Sequence, residues 1–376
     1  MKEILIFIFD INKYPPILSL INVLLKNNRE VIVFGHSSNP KVFEHLPSDK
    51  FTFFDFIESN NSNSSLYKIY QLYSFKRKVK ESLKKYTDIS RLWLLGGETT
   101  WVFHDLIKKY DTIGYLFEMP EFHVPLKYRV SFPSIKYLDN MNSFKHIICC
   151  EYHRALITKS YFGLPNMPIV LPNKPEISIE NSEYQIPEDL LNLMNRHKVI
   201  LYQGIFNFPE RRLEELCQSI EFLPEEYVIF IMGGEDEAKN NLRKKYESNR
   251  IYFLPFLSPP DHLKITEKSY IGYLSYFSIS GNIGNTLNTL FCAPNKIYEY
   301  AKYGKPMIAN DVPALSYSFN KYKSGICVKE FTPWNLALAI QEISSDYKQF
   351  QDGAYELYNS VDINSIIKDN IIDSDV

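Results

Sequence analysis

Three clusters of polar side chains stand out in a chain otherwise rich in Tyr, Phe, Ile and Leu. In LYQGIFNFPERRLEELCQSI (201–220) a β-rich run ends at Gln203, a glycine follows, and a helical pattern opens near Pro209–Glu210. A strand–Gly–helix junction lets backbone N–H groups and the positive end of a helix approach an anion. Arg211 and Arg212 fall in the first turn of that pattern, where cations oppose the helix dipole. A nearby phosphate accounts for them, and so do ion pairs with Glu214 or Glu215 at helical spacing. In GYLFEMPEFHVPL (114–126) an apolar run empties into Glu118, Glu121 and His123, residue types that move protons. In CAPNKIYEYAKYGKPMIAN (292–310) one carboxylate, Glu299, sits in a short helical segment among packing residues. It belongs either to a solvated helix face or to a ligand site. There is no G-x-x-x-x-G-K-[ST] loop and no G-x-G-x-x-G, which removes support from ATPase and simple dinucleotide-binding readings.

The elements that must position these residues alternate. ILIFIF (4–9), VIVFG (31–35), RLWLLGG (91–97), TIGYLFE (112–118), HIICC (146–150) and PIVLPN (168–173) read as continuous apolar strands. Helical patterns separate them at 16–28, 99–110 and 152–162. The polar segment 174–197, with Pro175 and Pro187, reads as a linker. The rhythm then restarts with KVILYQG (198–204), YVIFIMGG (227–234), IYFLPF (251–256), YIGYLSY (270–276), PMIAN (306–310) and GICV (325–328). Helices are expected at 209–222, 236–247, 260–268 and 333–345, with an irregular loop over 277–294. Apolar strands separated by helices predict parallel sheets covered on both faces. The fold class is therefore α/β, two Rossmann-like doubly wound domains, with the ligand expected in the cleft between them. The first is expected over 1–185, joined by a C-terminal helix at 356–376, and the second over 186–355.

Length fits two domains. The near-zero net charge gives no global argument for nucleic acid. Cys149, Cys150, Cys217, Cys292 and Cys327 are odd in number and lack C-x-x-C spacing, which predicts free thiols in a reducing compartment. The opening MKEILIFIFDINKYPP reads as a buried strand and not a secretion signal, because its apolar run is short and Asp10 interrupts it. NNSNSS (60–65) reads as a loop.

The blocks YQGIFNFPERRLEEL, YVIFIMGG, IYFLPFLSP and above all APNKIYEYAKYGKPMIAND resemble the carboxy-terminal half of glycosyltransferase family 4, retaining enzymes of GT-B fold. Their order and spacing carry the resemblance from 201 to about 315, and LPNKPE (171–176) extends it loosely. The resemblance implies a nucleotide-diphosphate sugar as donor, a UDP-sugar first, and no metal. Gly204 would lie against the diphosphate and Arg211 would neutralise it, with Arg212 standing where the family has glycine. Phe206 joins the donor set, and Phe256 falls where backbone reads the nucleobase. Glu299 matches the second acid of an E-x₇-E motif that holds the ribose, while Phe291 stands in place of the first. Sugar contacts must then come from elsewhere in 277–294, and Asn295 and Lys296 would face the donor at the helix start. Glu118, with His123 second, would orient or deprotonate the acceptor. The acid pairs Glu235–Glu237 and Asp373–Asp375 are not expected to bind metal.

YKIYQLYSFKRKVKESLKKY (67–86) carries seven Lys/Arg against one Glu, interleaved with aromatic and apolar residues. It reads as a solvated helix packed on the sheet or as a face that rests on an anionic bilayer; no recognition fold accompanies it for nucleic acid. These readings predict a cytoplasmic hexosyltransferase, peripheral on the inner face of the membrane, that acts on a glycan, lipid-linked or protein acceptor in surface-glycan synthesis. The competing expectations are a non-catalytic sugar- or protein-binding protein of the same fold and a sugar-nucleotide epimerase.

Overall fold

The computed structural model describes residues 1–57, 65–119, 126–132, 141–176, 179–206, 210–278 and 283–375. The chain divides into two compact units, Met1–Asn173 with Asp362–Val376, and Lys174–Val361.

The first unit is built on seven parallel strands: β1 (Lys2–Asp10), β2 (Glu30–His36), β3 (Phe51–Asp55), β4 (Ile89–Leu95), β5 (Thr112–Leu116), β6 (His146–Cys149) and β7 (Ile169–Val170), in the order β3-β2-β1-β4-β5-β6-β7. β1 lies at the centre, with Ile4 opposite Ile32 on one side and Leu92 on the other. Ile4, Leu5 and Ile6 have no exposed surface, as expected of a strand covered on both faces. The unforeseen strand is β3. FTFFD is a half-buried edge whose alternation is masked by adjacent phenylalanines, two of which, Phe53 and Phe51, pack on Phe43.

The second unit has six parallel strands, β8 (Lys198–Gln203), β9 (Tyr227–Met232), β10 (Ile251–Leu254), β11 (Ile271–Tyr273), β12 (Met307–Asn310) and β13 (Gly325–Val328), in the order β10-β9-β8-β11-β12-β13. In both sheets the chain winds to one side of the first strand and then crosses to the other. The switch points therefore lie between β1 and β4 and between β8 and β11, where open α/β sheets bind ligands beyond the strands' carboxyl ends.

Three sequence expectations change. The segment read as a linker holds a helix, Glu188–Arg196, whose Leu190, Leu193 and Met194 pack into the second unit's core. The loop 277–294 contains another, Ile283–Leu290. The helix expected from 209 starts at Leu213, with Arg212 as its N-cap, and gives way to a 3₁₀ turn at Ile220–Phe222. Residues 207–209 and the loop 60–64 lie outside the described residues.

The tail divides between the units. Tyr347–Asn359 is helical in the second unit, where Leu357 enters the core and the Tyr355 ring fills the space a side chain at Gly304 (φ +60°) would need. Lys174 donates to the carbonyls of Tyr358 (2.8 Å) and Val361 (2.6 Å), fastening the two connecting segments. The helix Ile363–Ile367 and the residues after it belong to the first unit. There Asn364 accepts from Asn27, and Arg91 donates to the Ile371 carbonyl while pairing with Glu3 at 2.8 Å. Trp93 donates to the other Glu3 oxygen, so this fully buried carboxylate is paired and hydrogen-bonded, as burial requires.

Candidate functional site

The switch point of the second sheet gathers most of the donor residues read from the sequence. β8 delivers Gln203 and Gly204 between β9 and β11. Gly204 adopts φ +142°, a conformation L side chains rarely take, and its amide donates to the Met232 carbonyl at 3.0 Å. A Cβ at this position would overlap the Lys296 ammonium and stand 2.8 Å from its Cε. Lys296 thus lies across the bare backbone of Gly204, its Nζ 5.0 Å from the centre of the Tyr202 ring. It is the second residue of the helix Asn295–Lys302, which Pro294 caps and Asn295, half-buried, opens.

Burial pushes the Lys296 ammonium down to about 7, the neighbouring Arg211 charge adds to this, and Glu299 opposes it. Arg211 is held in place by a hydrogen bond to the Ser275 carbonyl (3.0 Å) and by stacking over Tyr276, 4.2 Å from the ring centre. Its Nε is buried and finds no partner among the described residues. Tyr276 is in turn clamped by Asn310, which accepts from its amide and donates to its carbonyl. Both arginines precede the helix instead of lying within its first turn, Arg212 as its N-cap. Arg212 is exposed, stacks over Phe277 and sits 3.5 Å from Glu215, the ion-pair reading left open by the sequence.

Glu299 is buried, one turn along from Lys296. Its Oε2 accepts from Gln203 Nε2 at 2.6 Å, and its Oε1 lies 3.4 Å from His262 Nε2. Gln203 in turn accepts from the Thr266 hydroxyl at 2.8 Å. Burial would raise the carboxyl, but His262, Lys296 and Gln203 outweigh it and hold its pKa below the ordinary value. The carboxylate is therefore charged and fixed, with two of its about four lone-pair positions committed.

Phe206 turns inward, 4% exposed, against Tyr202 and the space above Gly233, so its surface is committed to the core. Phe256 is 63% exposed beyond β10. Phe291 follows the helix Ile283–Leu290 and is half-buried. Glu235 is tied to Lys239 and Arg243. Among the described residues no three His, Cys, Asp or Glu side chains are grouped to hold a metal ion.

In the first unit Glu118 follows β5 with its side chain at the surface. The surrounding protein still desolvates the carboxyl enough to raise its pKa, against the lowering pull of Arg154. Arg154 is itself anchored on the Phe117 carbonyl at 2.7 Å. Glu121 and His123 lie outside the described residues. A residue missed in the sequence joins this edge: Glu98, in the first turn of Gly97–Val102 directly after β4. Tyr14, packed between Phe7 and Phe117, has its hydroxyl raised by burial and by the charges of both Glu118 and Glu98. The signal was present in RLWLLGGE, an acid three residues past a strand that flanks the switch point.

No protein-family model and no curated protein matches the chain. Solved structures do. HepE of Anabaena, in complex with UDP and glucose, is 16% identical with a TM-score of 0.68, covering 100% of this chain and 99% of that one. A glycosyltransferase from Rickettsia africae is 12% identical with a TM-score of 0.69, covering 99% and 97%. A Listeria monocytogenes protein assigned as a UDP-N-acetylglucosamine 2-epimerase is 11% identical with a TM-score of 0.65, covering 100% and 97%. The fold is GT-B. At such identities the likeness extends to the fold and stops there, and GT-B proteins among these neighbours carry names from more than one reaction class. Chemistry has to be argued from the side chains.

Proposed function

We propose that the chain is a retaining glycosyltransferase that moves a hexosyl group from a nucleotide-diphosphate sugar, a UDP-sugar first, to a glycan, lipid-linked or protein acceptor in surface-glycan synthesis. The observation that carries this reading is the seating of the Lys296 ammonium on the bare backbone of Gly204, beside Arg211 and one helical turn from Glu299. A diphosphate brought to Gly204 would meet two cations and exposed backbone, while Glu299 offers its remaining lone pairs to ribose hydroxyls. The second unit is then the donor domain and the first the acceptor domain.

Glycosyl transfer needs a stabilised leaving diphosphate more than a strong base. Preorganised donors of this kind are each worth about 3–4 kcal/mol at a developing charge. Lys296 and Arg211 supply that charge in the proposed route, without a metal. As the sugar C1–O bond to the phosphate breaks, the acceptor oxygen bonds to C1 from the same face, and its proton passes to the departing phosphate oxygen. Glu118 orients the acceptor hydroxyl. Incubation with nucleotide sugars, with and without acceptors, followed by product analysis tests the reading. Transfer that requires an acceptor and retains anomeric configuration supports it; inertness toward every donor overturns it.

The likeness to the Listeria protein keeps one competing reading, a sugar-nucleotide epimerase. It would use the same diphosphate site, and interconversion of the donor sugar without any acceptor would establish it.

A further inference from the structure

The first unit contains a pocket of about 410 Å³ at the carboxyl end of β1, within the range of about 300–1,000 Å³ usual for small-molecule sites. Its floor is Ile8 and the fully buried Phe75, and its walls are Phe9, Ile69 and Leu72. Glu98 also lines it, reaching from the first turn after β4, so the pocket sits at the switch point between β1 and β4. Lys68, exposed on the helix Ser65–Leu83, provides a cation at the lining.

Its chemistry differs from that of the Gly204 site. A nucleotide diphosphate needs several cations or a run of free amides, and the lining offers one lysine. A bare sugar presents a hydroxyl on nearly every carbon, each of which requires a polar partner when desolvated. Most of this surface is hydrocarbon and aromatic. An apolar group with a hydroxyl at one end matches it: the apolar part gains by leaving water, and the hydroxyl donates to a carboxylate. Phe9 marks the open side, 40% exposed near the strand end although Ile8 before it is buried.

We propose that this pocket binds the acceptor, and that the acceptor is an alcohol or glycoside carrying an alkyl or aryl group. The apolar part lies against Ile8, Ile69, Leu72 and Phe75, and Glu98 receives the hydrogen bond of a hydroxyl. This inference rests on the transferase reading for the word acceptor, but the binding itself does not.

Calorimetric titration of the full chain with n-octyl β-D-glucopyranoside, below its micelle concentration, and with methyl β-D-glucopyranoside tests it. Octyl glucoside should bind at least tenfold tighter than methyl glucoside. Ile69→Lys should remove that preference, and Ile69→Ala should reduce it severalfold with the melting temperature nearly unchanged, so a misfolded lysine variant leaves a second reading. Glu98→Gln should weaken both glucosides severalfold. In all variants UDP affinity should stay within twofold of the parent. Equal affinity for the two glucosides, or octyl affinity unmoved by either Ile69 substitution, overturns the proposal. Failure to bind UDP with the octyl preference intact overturns the transferase reading instead and leaves the apolar site standing.

Discussion

Raising the pH from 7 to 9 should strip the proton from Lys296 in the free protein and, with it, much of the affinity for a nucleoside diphosphate. The ammonium is pushed down to about 7 by burial and by Arg211. A bound diphosphate opposes both effects, because it brings negative charge to the same spot and raises the lysine's pKa, so the bound protein keeps the proton. The UDP phosphate has already lost its last proton by pH 7, with a second pKa of about 6, so the change on the protein side dominates. About half of the free molecules hold the proton at pH 7, about one in eleven at pH 8 and about one in a hundred at pH 9. Binding must restore it, so the UDP Kd should rise about fivefold from pH 7 to 8 and about fiftyfold from pH 7 to 9. Titration calorimetry in two buffers of different ionisation enthalpy reads the affinity and the proton uptake together, with close to one proton taken up at pH 8. Lys296→Arg, which stays charged over this range, should flatten the profile. A Kd constant within twofold from pH 7 to 9, or no proton uptake at pH 8, would mean that Lys296 does not hold the diphosphate as a cation.

The same lysine should trade stability for binding. Between about 7 and its ordinary 10.5, the unfolded chain keeps a proton that the folded chain has lost, so stability rises with pH across that window. Lys296→Met should therefore raise the melting temperature most below pH 7, with the gain gone above about 10.5, while weakening UDP binding at least tenfold at neutral pH. Gly204→Ala forces a side chain into a φ of +142° and onto Lys296; it should lose UDP binding and destabilise by about 1–3 kcal/mol, measured by urea unfolding. Glu299→Ala removes the buried partner of Gln203 and His262 and should lower stability by about 3–5 kcal/mol in the same assay. Glu118→Gln should cut turnover at least tenfold with UDP affinity unchanged; undiminished turnover removes it from the mechanism. Vesicles with anionic lipid should sediment the protein at low salt through the basic residues of Ser65–Leu83, less Lys76 and Lys80, which both pair with Asp105; no sedimentation ends the membrane reading.

Most strand positions were legible because buried parallel strands leave unbroken apolar runs, as in KVILYQ and YVIFIM. β3 escaped because an edge strand keeps one side wet. The helix Glu188–Arg196 escaped because its apolar face is short and comes after Pro187 in polar surroundings. At the site, Gly204, Arg211 and Glu299 announced themselves through residue type and local context. What sequence order hides is closure: nothing along the chain says that Lys296 comes to rest on Gly204, or that Gln203, Thr266 and His262 converge on Glu299. Arg211 and Arg212 looked equivalent as neighbours, yet one stacks half-buried on Tyr276 and the other pairs with Glu215 at the surface.

In the proposed reading the second unit binds a nucleotide sugar by its diphosphate at Gly204 and Lys296. A thermal-shift screen of UDP, GDP, ADP and CMP sugars on the parent and on Arg211→Gln meets it most directly. A diphosphate sugar, UDP first, should give a saturable rise in melting temperature that Arg211→Gln reduces severalfold in apparent affinity. Stabilisation by none of the four, or an undiminished response in the variant, would contradict it.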